Sequence, residues 1–324
     1  LSVDFGHRHV GAKGISKVRR LENIQFRESG EGRSMIPESF EYHVPKTVDE
    51  AARMAAEFAD DGKVLAGGHS LIPMMKLRLA SPKHLIDLGR VEGLKYIREA
   101  DGKIEIGALT THFQAEYATL LKEKCPLLPE TARAIGDVQV RNKGTIGGSL
   151  AHADPAADWP AAALALDAEL KTVSTSGERW IPVSEFFVDL LTTSMNPGEI
   201  LTAIRFPALP VRSGDAYAKH AHPASGFAVV GVAARVTLDE KGIVEKARVG
   251  VTGVSSKAYR ASSVEAAITG KAPSSKNLDT ASLHAVDGID LNGDLYASAE
   301  YRGHLAKVYT ARALALAVER AGGK

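Results

Sequence analysis

The spacing of apolar residues after Met35 changes repeatedly between the periods of helix and strand. The first helix is predicted to begin at Thr47, because Thr47 and Glu50 have the spacing of a capping box. One face of this helix is apolar and is formed by Val48, Ala51, Ala52, Ala55 and Phe58. Asp61-Gly62 ends the helix, and the apolar residues that follow predict a strand over residues 63–65.

Strands and helices continue to alternate through the rest of the chain. Asp101-Gly102, between two short strand-like runs, predicts a β-hairpin, and Thr111 with Gln114 forms a second capping-box pattern. We predict strands over residues 85–88, 95–98, 103–106, 169–173, 179–183, 199–206, 227–237 and 247–253. We predict helices over residues 127–135 and 159–166 and three more at the end of the chain, the last over 298–321.

Two segments show neither the helical nor the strand period, and they divide the chain. Residues 207–214 contain two prolines and predict a linker, so we expect one domain over 35–210 and another over 211–324. Residues 1–34 mix basic residues with Gly and Ser. Our hypothesis is that Met35 is the biological start and that residues 1–34 are a non-native extension or an assignment artefact. The alternative is a tail that docks on a partner.

Composition narrows the class of protein. The 324 residues include 40 basic and 39 acidic side chains, a balance that gives no support for nucleic-acid binding. Cys125 is the only cysteine, which excludes an internal disulfide or a thiolate cluster, and we predict a structural thiol between two helices. Neither a membrane-spanning apolar stretch nor a signal-peptide pattern is present in the sequence. We therefore expect a cytoplasmic protein without a transmembrane segment.

Two glycine-rich loops are the most informative feature. Residues 66–70 (AGGHS) follow a predicted strand, and residues 144–149 (GTIGGS) come before an alanine-rich helix. Paired glycines leave backbone N–H groups accessible to an anion. Two such loops could hold the two halves of a pyrophosphate, which indicates a dinucleotide. Neither loop has the G-x-G-x-x-G or P-loop pattern, so a Rossmann or P-loop site is not expected.

Candidate side chains lie close to the second loop. Asp158 could accept hydrogen bonds from a sugar or ribityl hydroxyl, although Asp154 and Asp158 could equally cap the following helix. His69 and His152 could face a phosphate or a ring. They lack the partners of a metal site, as do the pairs His7/His9 and His220/His222, so we predict no metal ligands. No nucleophile or acid–base grouping is recognisable; we predict no catalytic residue, and a cofactor would supply the chemistry.

The loops and their flanks resemble a known family. Residues 64–80 (VLAGGHSLIPMMKLRLA) and 141–149 (RNKGTIGGS) are similar to the two flavin-binding motifs of the medium subunits of molybdenum hydroxylases. That group includes aerobic carbon monoxide dehydrogenase and the wider xanthine dehydrogenase family. Residues 35–42 (MIPESFEY) resemble the usual start of these subunits, and the resemblance extends from Met35 to the C-terminal helix.

The resemblance implies an α+β fold of the vanillyl-alcohol-oxidase type. FAD would lie between two subdomains, about residues 35–92 and 93–210, and a C-terminal domain of antiparallel sheet and helices would cover the flavin ring. Backbone N–H groups of the two loops would surround the pyrophosphate, Asp158 would bind ribityl or ribose hydroxyls, and Leu201 would lie near the isoalloxazine. The cofactor-binding residues so implied are Leu65, Ala66, Gly67, Gly68, His69, Ser70, Leu71, Ile72, Ile135, Thr145, Ile146, Gly147, Gly148, Ser149, Asp158, Leu201 and Phe227.

The resemblance also implies a role in electron transfer. A large subunit would carry the molybdopterin cofactor and a small subunit two [2Fe–2S] clusters, in a dimer of heterotrimers. This chain would pass electrons from the clusters through FAD to an external acceptor. Carbon monoxide dehydrogenases carry a tyrosine where this chain has Phe227, and this departure argues against carbon monoxide as the substrate. Two alternatives stay open: a self-contained flavin oxidoreductase, and a structural subunit without cofactor.

Overall fold

The computed structural model describes residues 35–322, which contain fourteen strands and twelve α-helices. The strands are β1 Glu41–His43, β2 Gly62–Leu65, β3 His84–Asp87, β4 Ile97–Ala100, β5 Lys103–Gly107, β6 Glu169–Ser174, β7 Gly177–Pro182, β8 Phe187–Asp189, β9 Thr192–Thr193, β10 Ile200–Pro207, β11 Ser213–Ala221, β12 Ala228–Leu238, β13 Val244–Thr252 and β14 Tyr259–Arg260. The helices are α1 Val48–Phe58, α2 Leu71–Lys76, α3 His112–Tyr117, α4 Thr119–Lys124, α5 Leu127–Arg133, α6 Val138–Lys143, α7 Ile146–His152, α8 Asp158–Ala165, α9 Val183–Phe186, α10 Ser262–Ile268, α11 Ser275–Ser282 and α12 Ala299–Arg320. The prediction for residues 1–34 lies outside the described residues.

The N-terminal part is built on a small parallel sheet in the order β1-β3-β2. Helix α1 packs against this sheet because its small residues Ala51 and Ala52 are completely buried beside Ile86. The Thr47 hydroxyl caps α1 by accepting from the N–H of Glu50 at 3.2 Å. The carboxyl end of β2 leads directly into the first glycine loop.

The next part is an antiparallel sheet in the order β4-β5-β10-β6-β7. Asp101 and Gly102 turn β4 into β5 and both have positive φ, which is the geometry of a tight hairpin. Helices α3, α5, α7 and α8 surround the main core, whose largest side chain is Trp159. This arrangement places the second glycine loop at the start of α7, beside β5 and β10.

The C-terminal part is a four-stranded antiparallel sheet in the order β11-β12-β13-β14, with the long helix α12 across β11 and β12. Glycines allow close packing on both sides of this sheet. A Cβ on Gly214 would lie 2.0 Å from the Ala317 carbonyl oxygen of α12, and one on Gly250 would lie 2.1 Å from that of Ala161 in α8.

The α+β architecture confirms the predicted fold class, and most predicted elements are present within a few residues of their expected ends. Strand β11 was missed; it begins at Ser213, inside the segment expected to be a linker. The short elements β1, α2, α6 and α7 were also not predicted, and the second glycine loop is the first turn of α7 rather than a free loop.

Candidate cofactor site

The first glycine loop presents free backbone donors. Gly68 has φ +78°, which turns the chain between β2 and α2. The N–H groups of Gly67, Gly68, His69 and Ser70 donate to no acceptor among residues 35–322. Successive unpaired N–H groups in a turn attract an anion, so this loop can cradle a phosphate.

The two glycine loops touch each other. A Cβ on Gly67 would lie 2.2 Å from the Lys143 carbonyl oxygen and 2.9 Å from the Cα of Gly144. On the other side, a Cβ on Gly148 would come within 3.4 Å of the Ala66 methyl group. The structure therefore brings together two segments that are some 75 residues apart, as a shared pyrophosphate site requires.

The second loop contributes fewer backbone donors than expected. The N–H groups of Ile146 and Gly147 donate to Thr110 and Ala108 carbonyls at 3.0 and 2.9 Å, and that of Gly148 donates to the Thr145 hydroxyl at 3.1 Å. These bonds hold the start of α7 against the sheet. The hydroxyl of half-buried Ser149 donates to no group among residues 35–322. The backbone donors without an acceptor among residues 35–322 are consequently concentrated in the first loop.

A buried histidine lies beneath the second loop. His112 is 4% exposed, and its Nδ1 accepts from the Trp159 indole N–H at 3.0 Å. Burial lowers the pKa of His112 to about 3, with smaller contributions from His69 and Arg141, so the ring is neutral and carries its proton on Nε2. A Cβ on Gly144 would lie 2.6 Å from that Nε2. The glycine therefore lets the loop lie directly on the ring.

Asp158 is held by the C-terminal sheet and does not cap its helix. It is the first residue of α8 and is 4% exposed. Its carboxylate accepts from the Tyr217 hydroxyl at 2.5 Å and lies 2.8 Å from the Lys219 ammonium. Burial raises the pKa of the Asp158 carboxyl, and Lys219 opposes that shift. The Lys219 ammonium also donates to the Ala134 carbonyl at 2.9 Å. The capping alternative for Asp158 is thus wrong, whereas its predicted contact with a cofactor hydroxyl stays a prediction.

The other residues predicted to contact the cofactor lie on several different elements. A Cβ on Gly226 would approach the Cα of Gly136 to 3.3 Å, so the turn before Phe227 packs on the turn after Ile135, and Phe227 is 45% exposed. Leu201 is 5% exposed in β10, between β5 and β6. Leu65 ends β2, and Leu71 and Ile72 form the first turn of α2.

Several neighbours were missed by sequence reasoning. Tyr217 and Lys219 lie on a strand that was not predicted, and His112 shows no local signal beyond its place after a capping threonine. His69 is exposed, and His152 ends α7. The structure also brings together Glu41, His43 and His84, a group that no sequence motif indicated.

The described residues fit FAD on chemical grounds. Four N–H groups without an acceptor among residues 35–322 and the hydroxyl of Ser149 offer donors to a pyrophosphate, and the glycines let the two loops pack directly against each other. Among residues 35–322, no serine hydroxyl or cysteine thiol hydrogen-bonds to a histidine, so the site contains no nucleophile–base pair. No helix within residues 35–322 is both long and apolar enough to span a membrane.

Comparisons with known proteins agree with this geometry. The family described as the FAD binding domain in molybdopterin dehydrogenase matches residues 38–209, and the CO dehydrogenase flavoprotein C-terminal domain matches residues 215–317. The chain is 40% identical over 287 residues to the 6-hydroxypseudooxynicotine dehydrogenase complex subunit alpha of Paenarthrobacter nicotinovorans, which covers 89% of this chain and 97% of that protein. It is 37% identical over 281 residues to the carbon monoxide dehydrogenase medium chain of Hydrogenophaga pseudoflava, with 86% and 97% covered.

Solved structures show the same relationship. A chain of the carbon monoxide dehydrogenase from Hydrogenophaga pseudoflava, in a form that lacks the Mo-pyranopterin moiety of the molybdenum cofactor, matches with a TM-score of 0.85 and 38% identity. The match covers 88% of this chain and 99% of that one. This chain therefore belongs to the family of FAD-binding medium subunits of molybdenum hydroxylases, as the resemblance of its two glycine motifs indicated.

Proposed function

We propose that this chain is the electron-transfer subunit of a molybdenum-dependent hydroxylase. It takes electrons from the [2Fe–2S] clusters of a small subunit and passes them to an external acceptor, while a large subunit hydroxylates the substrate at its molybdopterin cofactor. The observation that carries the proposal is the contact between the two glycine loops beside four free N–H groups. FAD, when bound there, supplies a carrier that exchanges electrons with one-electron and two-electron partners.

The residues of this chain hold and orient the cofactor. Gly67, Gly68, His69 and Ser70 would donate backbone N–H groups to the pyrophosphate, and Ser149 would add its hydroxyl from the second loop. Asp158 lies beyond the loops, where Lys219 and Tyr217 fix its carboxylate. We propose that its remaining lone pairs accept from ribityl or ribose hydroxyls. Phe227, which is 45% exposed, would supply an aromatic ring for packing against the flavin.

Three titratable groups within residues 35–322 are committed to structural contacts, which fits transfer of electrons rather than conversion of a substrate. His112 is neutral and hydrogen-bonded to Trp159, Arg141 is paired with Glu116 at 2.9 Å, and Cys125 is completely buried. None of these groups is free to exchange a proton with a substrate. We place the assembly, a dimer of heterotrimers, in the cytoplasm.

Co-expression with the two adjacent reading frames tests the proposal. We expect a complex of three different chains that contains one FAD per copy of this chain together with molybdenum and iron. Reduction of the complex by its substrate should bleach the flavin absorbance, and an added electron acceptor should restore it. A yellow chain that purifies alone and oxidises a substrate would support a self-contained flavoenzyme instead. A native complex without FAD would support a structural role.

A further inference from the structure

Three potential metal ligands meet at the edge of the N-terminal parallel sheet. Glu41 and His43 are alternate residues of β1, so both side chains lie on the same face of this edge strand. His84 begins the neighbouring strand β3, and its Cα is paired with that of Glu41. The pairing of β1 with β3 therefore assembles a group from residues more than 40 positions apart.

The distances between the ligand atoms suit one bound ion. His43 Nε2 and His84 Nδ1 are 3.1 Å apart, and Glu41 Oε2 lies 3.4 Å from His84 Nδ1 and 3.8 Å from His43 Nε2. Ligands bound to zinc at about 2.0–2.2 Å in tetrahedral geometry are themselves about 3.3 Å apart. An ion could thus contact all three atoms after only small movements. Within residues 35–322, this is the one group of three or more such side chains that meets this closeness.

The two imidazole rings are held in place before any ion binds. The Phe58 ring at the end of α1 is stacked on His84 at 4.0 Å between centroids and lies 4.6 Å from the His43 ring. The histidine side chains are 22% and 23% exposed, whereas that of Glu41 is 73% exposed. Two packed imidazoles and one exposed carboxylate leave a side of the group open to water.

The facing nitrogen atoms of His43 and His84 share one proton when both rings are neutral, since one must donate to the other. Metal binding requires a lone pair on both atoms. The proton can move to the opposite nitrogen of its own ring, so binding needs a change of tautomer rather than the loss of a proton.

We propose that Glu41, His43 and His84 form a zinc site with three protein ligands and a water molecule in the fourth position. Two imidazoles and a carboxylate are ligands that zinc accepts readily. The ion would tie the three-residue edge strand β1 to β3. The site is distinct from the cofactor loops: His84 precedes Asp87, the Cα partner of Leu65, by three residues, or about 10 Å along the strand. The proposal does not depend on the proposed function.

Zinc titration of the full chain with bound FAD tests the site. His7 and His9 are replaced by Gln in all samples, because this pair could also bind zinc. We expect one Zn²⁺ per chain in competition with a chromophoric chelator. His43→Gln and His84→Gln should each weaken binding by about tenfold or more. His284→Gln removes an exposed histidine that is paired with Asp287 elsewhere, so this matched control should bind zinc as the parent does.

Glu41→Gln provides a variant whose folding is not at risk, because the Glu41 side chain is mostly exposed. It should also weaken zinc binding, and FAD content should be unchanged in every variant. Co²⁺ in place of Zn²⁺ should give intense visible bands of a four-coordinate site in the parent, and these bands should be lost in His84→Gln. The proposal is wrong if the parent binds no zinc at micromolar concentration, or if His43→Gln and His84→Gln bind it as tightly as His284→Gln.

Discussion

Arg235 on β12 and Asp215 on β11 form a buried ion pair with two hydrogen bonds, of 2.7 and 2.8 Å. Asp215 is completely buried, and the two residues are directly opposite each other in the sheet. The same guanidinium lies 3.6 Å from Cys125 Sγ. This pair therefore links the C-terminal sheet to the helices of the central domain.

Breaking this pair should destabilise the protein strongly. Asp215→Asn leaves the Arg235 guanidinium buried without a counter-charge, and we expect a loss of about 3–5 kcal/mol in the free energy of unfolding. Chemical denaturation of purified variants measures this loss. Arg248→Met removes a more exposed arginine of the same sheet and serves as the control, with an expected cost of about 1 kcal/mol. Equal losses in both variants would contradict the importance of the buried pair.

Gly67→Ala should separate the two glycine loops and reduce FAD retention. The added Cβ would lie 2.2 Å from a backbone carbonyl of Lys143, which cannot move without moving the second loop. We expect a loss of roughly 1–3 kcal/mol in stability and loss of most bound flavin, measured as FAD per chain after purification. Gly242→Ala is the control: its φ is positive, unlike that of Gly67, so alanine is strained there, but a Cβ has nothing within 4 Å and leaves the loops untouched. FAD retention in Gly67→Ala equal to that of Gly242→Ala would exclude a pyrophosphate site between the loops.

Asp158→Asn should lower FAD affinity more than Lys219→Met does. Each substitution leaves one buried partner of the pair without its counter-charge, so both should reduce stability by a few kcal/mol. Only the first removes the carboxylate that we expect to bind cofactor hydroxyls. Flavin fluorescence titration of the two variants, after matching for folded fraction, separates these effects. Equal affinities would assign Asp158 a purely structural role.

The neutral state of His112 predicts acid sensitivity. Its pKa is lowered by burial to about 3, below the ordinary value of 6.5, so the unfolded chain binds a proton that the folded chain rejects. As far as it depends on His112, the free energy of unfolding is highest above about pH 6.5. It decreases as the pH falls toward 3, by at most about 5 kcal/mol. His112→Gln keeps an acceptor for Trp159 without this titration. Denaturation between pH 7 and pH 4 should show a flatter pH dependence for the variant, and identical slopes would refute the assignment.

The elements that local sequence rules describe were predictable. The Thr111–Gln114 capping box forms in full, with both reciprocal hydrogen bonds, and the Asp101-Gly102 hairpin is present. At the first box, Thr47 caps α1 as predicted, but the Glu50 carboxylate accepts from the N–H of Lys46 at 2.7 Å. Motif spacing determines such contacts because their partners lie within four residues.

Strand β11 shows why other elements and site residues could not be predicted from the sequence. One of its faces carries Ser213, Asp215, Tyr217 and Lys219. These polar side chains are buried because Thr237, Arg235 and Asp158 pair with them from other parts of the chain. The other face has small residues that accept α12. Along the strand, large apolar residues therefore do not alternate with polar ones, and this alternation is the pattern that identifies a strand in a sequence. Lys219 and the group of Glu41, His43 and His84 could not be found from residue spacing either, because their partners are far apart in the sequence.

Helix α8 connects parts of the chain that the sequence divides at residues 207–214. Every residue of α8 is buried, with Trp159 in the central core and Ala161 against Gly250 of the C-terminal sheet. Residues 35–210 expressed alone would therefore expose the side of α8 that faces β12 and β13, and we expect that fragment to aggregate. Heating the intact chain should give one cooperative transition. We therefore expect the two halves to unfold as one unit despite the linker-like sequence between them, and a chimaera of two family members should keep α8 and its sheet from the same parent.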